Sequence, residues 1–304
     1  METTVMNKTT PSIPATTLSK KKYHIPLAIR FMRWMLPRLE MIAPQYAHNW
    51  FVKLFFSPPK YTIPSAEREV LQQAQRSHLY INAVSIEVYT WGNGPAVLLV
   101  HGWAGRASQF RSFVPYLIDR GYQVVAFDAP AHGNSQGKRT NIFEFRDVIL
   151  QLENRVGGFQ AIIAHSIGGA AAIFALAEGA KTQMVITIAT PSIGDEIIHE
   201  FTLRINGSVK AEEKLKAYIR QTFQRPFDEL MASHFAKQLD QTVNWLIIHD
   251  EHDKEASVQN AQHLYEAYPR ATVKITSTLG HTRILRDEDV IITCLKFIES
   301  RSLY

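Results

Sequence analysis

Residues 160 to 177, QAIIAHSIGGAAAIFALA, constrain the fold more than any other stretch of the chain. An apolar run of strand length passes without a spacer into a helix of small residues, and a single serine stands at the junction. A strand-to-helix turn that sharp tolerates only small residues two positions either side of its apex, a need that Ala164 and Gly168 meet. Ser166 at the apex is then held out where a nucleophile can reach a substrate. An incidental serine ahead of a glycine-rich helix is the plain alternative, so the segment needs support from elsewhere.

From Leu79 onward, apolar runs of strand length alternate with helical patterns. Strands are expected at Leu79 to Trp91, Ala96 to Val100, Gln123 to Phe127, Gln160 to Ala164, Met184 to Ala189, Trp245 to His249 and Ala271 to Ser277. Helices are expected around Ser108 to Arg120, Asn141 to Val156, Ile167 to Ala177, Val258 to Tyr268 and Asp287 to Ser300. Such alternation implies an α/β fold: a mainly parallel, twisted sheet covered by helices on both faces. One segment breaks the rhythm, because about 50 residues between Pro191 and Asn244 stand where a short loop would connect two strands. We expect a small helical lid at about 192–243, with Ile197, Ile198, Phe201, Leu215, Tyr218, Ile219 and Phe223 turned toward Ser166.

Three further elements fall at strand ends. His101-Gly102-Trp103-Ala104-Gly105 follows the run AVLLV, where backbone N–H groups can face the anion that acyl transfer generates; Trp103 and Ile167 are the expected donors. A tight turn with no chemistry is the alternative there. NWLIIHDEHD places two carboxylates after a strongly apolar strand, and either Asp253 or Asp250 could accept an imidazole N–H and hold its tautomer. His249, Glu251 and His252 in the same stretch invite a metal reading, but adjacent ligands in one short loop cannot all face one ion, so no metal site is expected. His281 in TLGHTRIL, after the last strand, is the expected base. His132 is expected to shape its turn, and His165 to orient the serine turn and to border the substrate together with Trp103.

Residues 79 to 304 resemble the α/β-hydrolase fold family, and in particular its single-domain bacterial esterase-like members, through HGWAG, DAPAHGNSQG, AHSIGG, IIHDEHD and LGHTRIL. The order Ser166, Asp253, His281 is the order of catalytic residues in that fold. The resemblance favours Asp253 over Asp250, because the family's acid closes a G-x-x-D turn and Asp250 stands at the usual glycine; a positive φ is expected at Asp250 for the same reason. Ala131 likewise replaces a glycine of the family's D-x-P-G-H-G-x-S loop. The resemblance implies a serine hydrolase that cleaves a small-molecule carboxylic ester or thioester of short or medium acyl chain, without a cofactor. Carbon–carbon hydrolysis, perhydrolysis, or ligand binding with negligible turnover on the same scaffold are the alternatives.

The N-terminal residues lie outside the resemblance. Residues 1–22, rich in Thr, Ser, Pro and Lys, are expected to form a disordered tail, residues 23–75 a helical extension, and residues 76–304 the hydrolase domain. From Ile25 to Ala47 the pattern is helical, with Leu27, Phe31, Trp34, Met35 and Leu36 apolar and Pro37 expected to end or kink the helix. This helix is expected to pack on the hydrolase body, and the alternative is a helix lying on an anionic membrane. Seven Lys/Arg against two acidic residues occupy positions 1 to 40, whereas positions 41 to 304 hold 26 of each sign. A body so balanced offers no phosphate-tracking surface, which argues against a nucleic-acid partner. One cysteine, Cys294, and the lack of a signal-peptide pattern lead to the expectation of a cytoplasmic protein; oligomeric state is not legible.

Overall fold

The structure is a computed structural model that describes residues 27–301, so the expected tail at 1–22 lies outside the described residues. The chain opens with helices α1 (Leu27–Ile42), α2 (Pro44–Phe55) and α3 (Ser65–Gln72), then forms β1 (Gln75–Ile81), β2 (Val84–Trp91) and β3 (Ala96–Val100). Next come α4 (Phe113–Asp119), β4 (Gln123–Phe127), α5 (Ile142–Val156), β5 (Ala161–His165), α6 (Ile167–Ala177) and β6 (Met184–Ile188). Helices α7 (Gly194–Ile205), α8 (Val209–Phe223) and α9 (Ala232–Ala236) follow, and then β7 (Asn244–Asp250), α10 (Gln259–Ala267), β8 (Thr272–Thr276), α11 (Gly280–Arg283) and α12 (Glu288–Arg301).

The eight strands form one sheet in the order β1-β2-β4-β3-β5-β6-β7-β8. All pairings from β4 to β8 are parallel, and β1 and β2 join antiparallel at one edge. Strands β3, β5 and β6 are buried along their whole length, which is why they read as unbroken apolar runs. Successive residues face opposite layers: Leu98, Ile162 and Ala164 pack beneath α5 and α6, while Val97, Leu99 and Ile163 pack beneath α4 and α12. Cys294 is a free, fully buried thiol in the second layer.

The structure departs from the sequence reading in three places. Leu79 to Trp91 is not one strand: it starts in the last residues of β1, crosses a tight turn in which Asn82 and Ala83 both have positive φ, and continues as β2. Helix α1 runs through Pro37 and ends at Ile42. Proline leaves the carbonyl four residues back without its helical donor; here that carbonyl is Arg33's, and Asn206 Nδ2 donates to it at 3.1 Å. Finally, α1 and α2 pack on the insertion between β6 and β7 and not on the sheet layers, whereas α3 joins the second layer through Val70. Leu36, Ala47 and Phe51 form a third core with Ile198, Ile205, Leu215 and Ile219 of α7 and α8, while Phe31 and Trp34 remain more than half exposed.

Two sequence-distant segments therefore meet above the sheet. Arg33 clasps the end of α7 by donating to the carbonyls of Leu203 and Arg204 at 2.7 and 3.0 Å. Behind α2 the connection is tied to the sheet-bearing body: Thr140 N–H donates to the Phe56 carbonyl, and Arg106 donates to the Tyr61 carbonyl.

Candidate active site

Ser166 sits between β5 and α6 with φ 53° and ψ −128°, a backbone conformation costly for any residue with a side chain. Its neighbours make the turn possible. A Cβ on Gly168 would lie 2.4 Å from the His101 carbonyl oxygen, and one on Gly102 would lie 2.8 Å from Ser166 Cβ. The loop after β3 and the start of α6 thus approach each other with no room for side chains. Trp103 and Ile167 border the same cavity as Ser166, and Ile167 opens α6, where the first N–H groups lack an intrahelical acceptor.

The loop after β3 is held by two histidines. His101 Nε2 accepts from the Ala129 N–H at 2.9 Å and its Nδ1–H donates to the Gly102 carbonyl, while His132 Nε2 accepts from the Ala104 N–H at 3.1 Å. Burial pushes both imidazoles down, to about 4 for His101 and about 3 for His132, so each keeps the one-proton form its two bonds require. Ala131, at the family's glycine position, adopts φ 65°.

His281, in α11, directs Nδ1 at Asp253 Oδ2, 2.7 Å away. Burial works against a charge on His281, but the hydrogen bond and charge of Asp253 outweigh it and raise the imidazole above its ordinary value. Burial likewise works to raise Asp253, and its bonds to His281 and to the Ala256 and Glu255 N–H groups reverse the sign and lower it. Ser166 and His281 both face the cavity. Among the described residues no hydrogen bond joins Ser166 Oγ to His281 Nε2, a contact of the kind that tightens when substrate binds.

Asp250 does not occupy the position of a rival acid. Its φ is not positive, contrary to the expectation from the missing glycine; it ends β7 as ordinary strand. Its buried carboxylate accepts four bonds, from the N–H groups of His252, Leu279 and Gly280 and from the Thr276 hydroxyl, at 2.9–3.0 Å. Two of these donors directly precede His281, so Asp250 ties down the backbone that carries the imidazole. His165, expected to border the substrate, is also elsewhere. Its ring is buried away from the cavity wall and its Nε2–H donates to the His281 carbonyl at 2.8 Å. Three side chains thus fix one short helix.

The cavity over Ser166 has a volume of about 630 Å³. Ile197, Phe201, Ile219 and Phe223 of the insertion line it, as do Phe55 and Phe56 at the end of α2. Ile198 and Leu215, also expected there, are buried in the third core instead, and Tyr218 packs against Phe56 near the surface. The aromatic pair at 55 and 56 carried no periodic signal that pointed to a site. Among the described residues no group of three or more His, Cys, Asp or Glu is placed to hold a metal ion, and no helix is long and apolar enough to cross a membrane.

The profile of the alpha/beta hydrolase fold matches residues 95–207, the stretch that runs from β3 through the serine turn into α7. The chain has the α/β-hydrolase fold. A pimeloyl-[acyl-carrier protein] methyl ester esterase of Nitrosomonas europaea is similar to this hydrolase-fold chain, with 23% identity over 69% of the chain and 98% of the relative. Among solved structures, a Pyrococcus furiosus esterase superposes with a TM-score of 0.62 at 20% identity over 81% of the chain and 97% of its own length. A membrane phospholipase A described as a bacterial virulence factor superposes with a TM-score of 0.61 at 16% identity, over 90% of the chain and 99% of its own. At these identities the likeness to the two structures concerns the fold.

Proposed function

We propose that the chain hydrolyses carboxylic esters or thioesters of small molecules through an acyl-serine. The observation that carries the reading is the 2.7 Å bond from His281 to Asp253 at the wall of an apolar cavity shared with a serine on a strained strand-to-helix turn. Asp253 fixes the proton on Nδ1, which leaves Nε2 free to take the Ser166 proton as the hydroxyl attacks the acyl carbon. The N–H groups of Trp103 and Ile167 hold the oxyanion, the alcohol or thiol leaves with the proton returned by His281, and water resolves the acyl-enzyme by the same steps.

The lining supports an apolar acyl group. Phe55, Phe56, Phe201 and Phe223 offer no fixed partner to a polar chain, and 630 Å³ lies within the range of pockets that enclose a whole small molecule. The Nitrosomonas relative is named for a methyl ester on a carrier-bound acyl chain, a substrate of this general kind. Helices α7 and α8, backed by α1 and α2, then act as the lid that excludes water and sets acyl length. The test is labelling with a fluorophosphonate together with turnover of p-nitrophenyl esters. Wild-type protein should label at Ser166 and hydrolyse a butyrate ester, and Ser166→Ala should lose both while keeping its unfolding midpoint. A Ser166→Ala protein that retains more than about a tenth of the turnover would overturn the assignment.

A further inference from the structure

Helix α1 is apolar on two sides, and among the described residues only one of them is packed. Leu36 faces inward, fully buried against the insertion. Leu27, Phe31, Trp34, Met41 and Ile42 recur at intervals of three, four and seven and share a stripe spanning about a third of the circumference at 100° per residue. Every one of the five is more than half exposed. Arg30 and Arg38 lie in the same stripe, and Arg38 stacks its guanidinium 4.5 Å from the Trp34 ring. The third arginine of the helix, Arg33, is taken up by the end of α7. Glu40, the one acidic residue of α1, turns away to His48 and Ser208.

We propose that this stripe docks on an anionic lipid bilayer, with α1 lying in the plane of the headgroups. The chemistry is complementary on three counts. Leu27, Phe31, Met41 and Ile42 supply side chains that gain by leaving water, Trp34 is amphipathic, and the two arginines carry uncompensated positive charge toward phosphate. In the sequence, Lys20, Lys21 and Lys22 precede the helix and extend the same sign of charge. At 16 residues with a proline and three arginines, α1 is too short and too charged to span the bilayer. Packing onto the insertion and binding a membrane are therefore properties of opposite faces of one helix. The inference goes beyond ester hydrolysis and holds whether or not Ser166 turns over a substrate.

Co-sedimentation of the full chain with vesicles tests it, using phosphatidylcholine alone and phosphatidylcholine with 30% phosphatidylglycerol, at low and high salt. The expected result is binding to the anionic vesicles that weakens as salt rises, with little binding to the neutral ones. Arg30→Gln with Arg38→Gln should weaken partitioning by roughly thirtyfold, about fivefold for each charge. Phe31→Ser with Trp34→Ser should abolish it, and because neither side chain borders the cavity the unfolding midpoint and any turnover of a soluble ester should be retained. Absence of binding to anionic vesicles overturns the proposal. So does a wild-type dimer in light scattering that the Phe31→Ser/Trp34→Ser change converts to monomer, since the stripe would then be a contact between copies of the chain.

Discussion

Replacing Asp250 by Asn tests whether this carboxylate holds the proposed base, His281, in place while Asp253 polarises it. The buried carboxylate receives two donors on each oxygen, His252 and Gly280 on Oδ1 and Thr276 and Leu279 on Oδ2. An amide offers one acceptor oxygen. If it keeps the Oδ1 pair, its NH2 can donate to the reversible Thr276 hydroxyl but faces the Leu279 N–H with no acceptor. One orphaned buried backbone donor plus the loss of charge assistance on the remaining bonds costs about 3 kcal/mol. In a chain of this length that lowers the unfolding midpoint by roughly 5 °C. The freed donors adjoin His281, and a displacement of about 1 Å in a reacting group costs on the order of 100-fold in rate. Asp253→Asn should cost more in rate, on the order of 10⁴-fold, because it permits the wrong tautomer. Both variants are assayed for kcat/KM on p-nitrophenyl butyrate well below either midpoint, alongside calorimetric unfolding. Asp250→Asn should be the less stable protein and Asp253→Asn the slower one. An Asp250→Asn enzyme that is the slower of the two with an unchanged midpoint would refute this division of labour.

The pH profile of kcat/KM should show one acid limb, with activity rising as His281 loses its proton at a midpoint above the ordinary imidazole value of 6.5, and Asp253→Asn should move that midpoint down. The same raised value means that the stability His281 gains from Asp253 is fully present below the unfolded imidazole value and fades as pH rises through the folded one. Across an acyl series each methylene that enters the cavity should raise kcat/KM about fourfold, from about 0.8 kcal/mol per buried methylene, until the space is filled. Phe201→Ala and Phe223→Ala should flatten this slope while changing the acetate ester little; an equal fall for all esters would show that the two rings support the fold only. Deleting residues 1–22 should leave stability unchanged, whereas deletion through residue 42 removes Leu36 from the third core and should lower the unfolding midpoint without any lipid present.

What the sequence disclosed and what it hid follow from the range of the forces involved. Strand ends were legible because a buried parallel strand is apolar almost without interruption, so the polar residue that closes it marks the top of the sheet: His101 after β3, Ser166 after β5, Asp250 at the end of β7. The hairpin turn was hidden because Asn82 is followed by Ala83 where glycine would have announced positive φ. Pro37 misled because the donor that compensates for it, Asn206, bonds Arg33 across 173 positions of sequence. His165 was misplaced since a ring on a serine turn can point at the substrate or at the next loop, and only the position of α11 decides. The docking of α1 and α2 on the insertion is a contact between two amphipathic patterns, each of which would fit any apolar partner.

That docking has a consequence for how the chain is made. Helices α1 and α2 leave the ribosome before the insertion, and the residues they pack on lie about 170 positions later. At ordinary rates of synthesis the wait lasts roughly ten to thirty seconds. For that time Leu36, Ala47 and Phe51 have no native partner, and the outward stripe of α1 is exposed as well. Contacts this distant also slow folding in free solution, because a long loop must close before they form. Yield of active protein should therefore respond to translation speed and to holdase supply more than the stability of the finished fold would indicate.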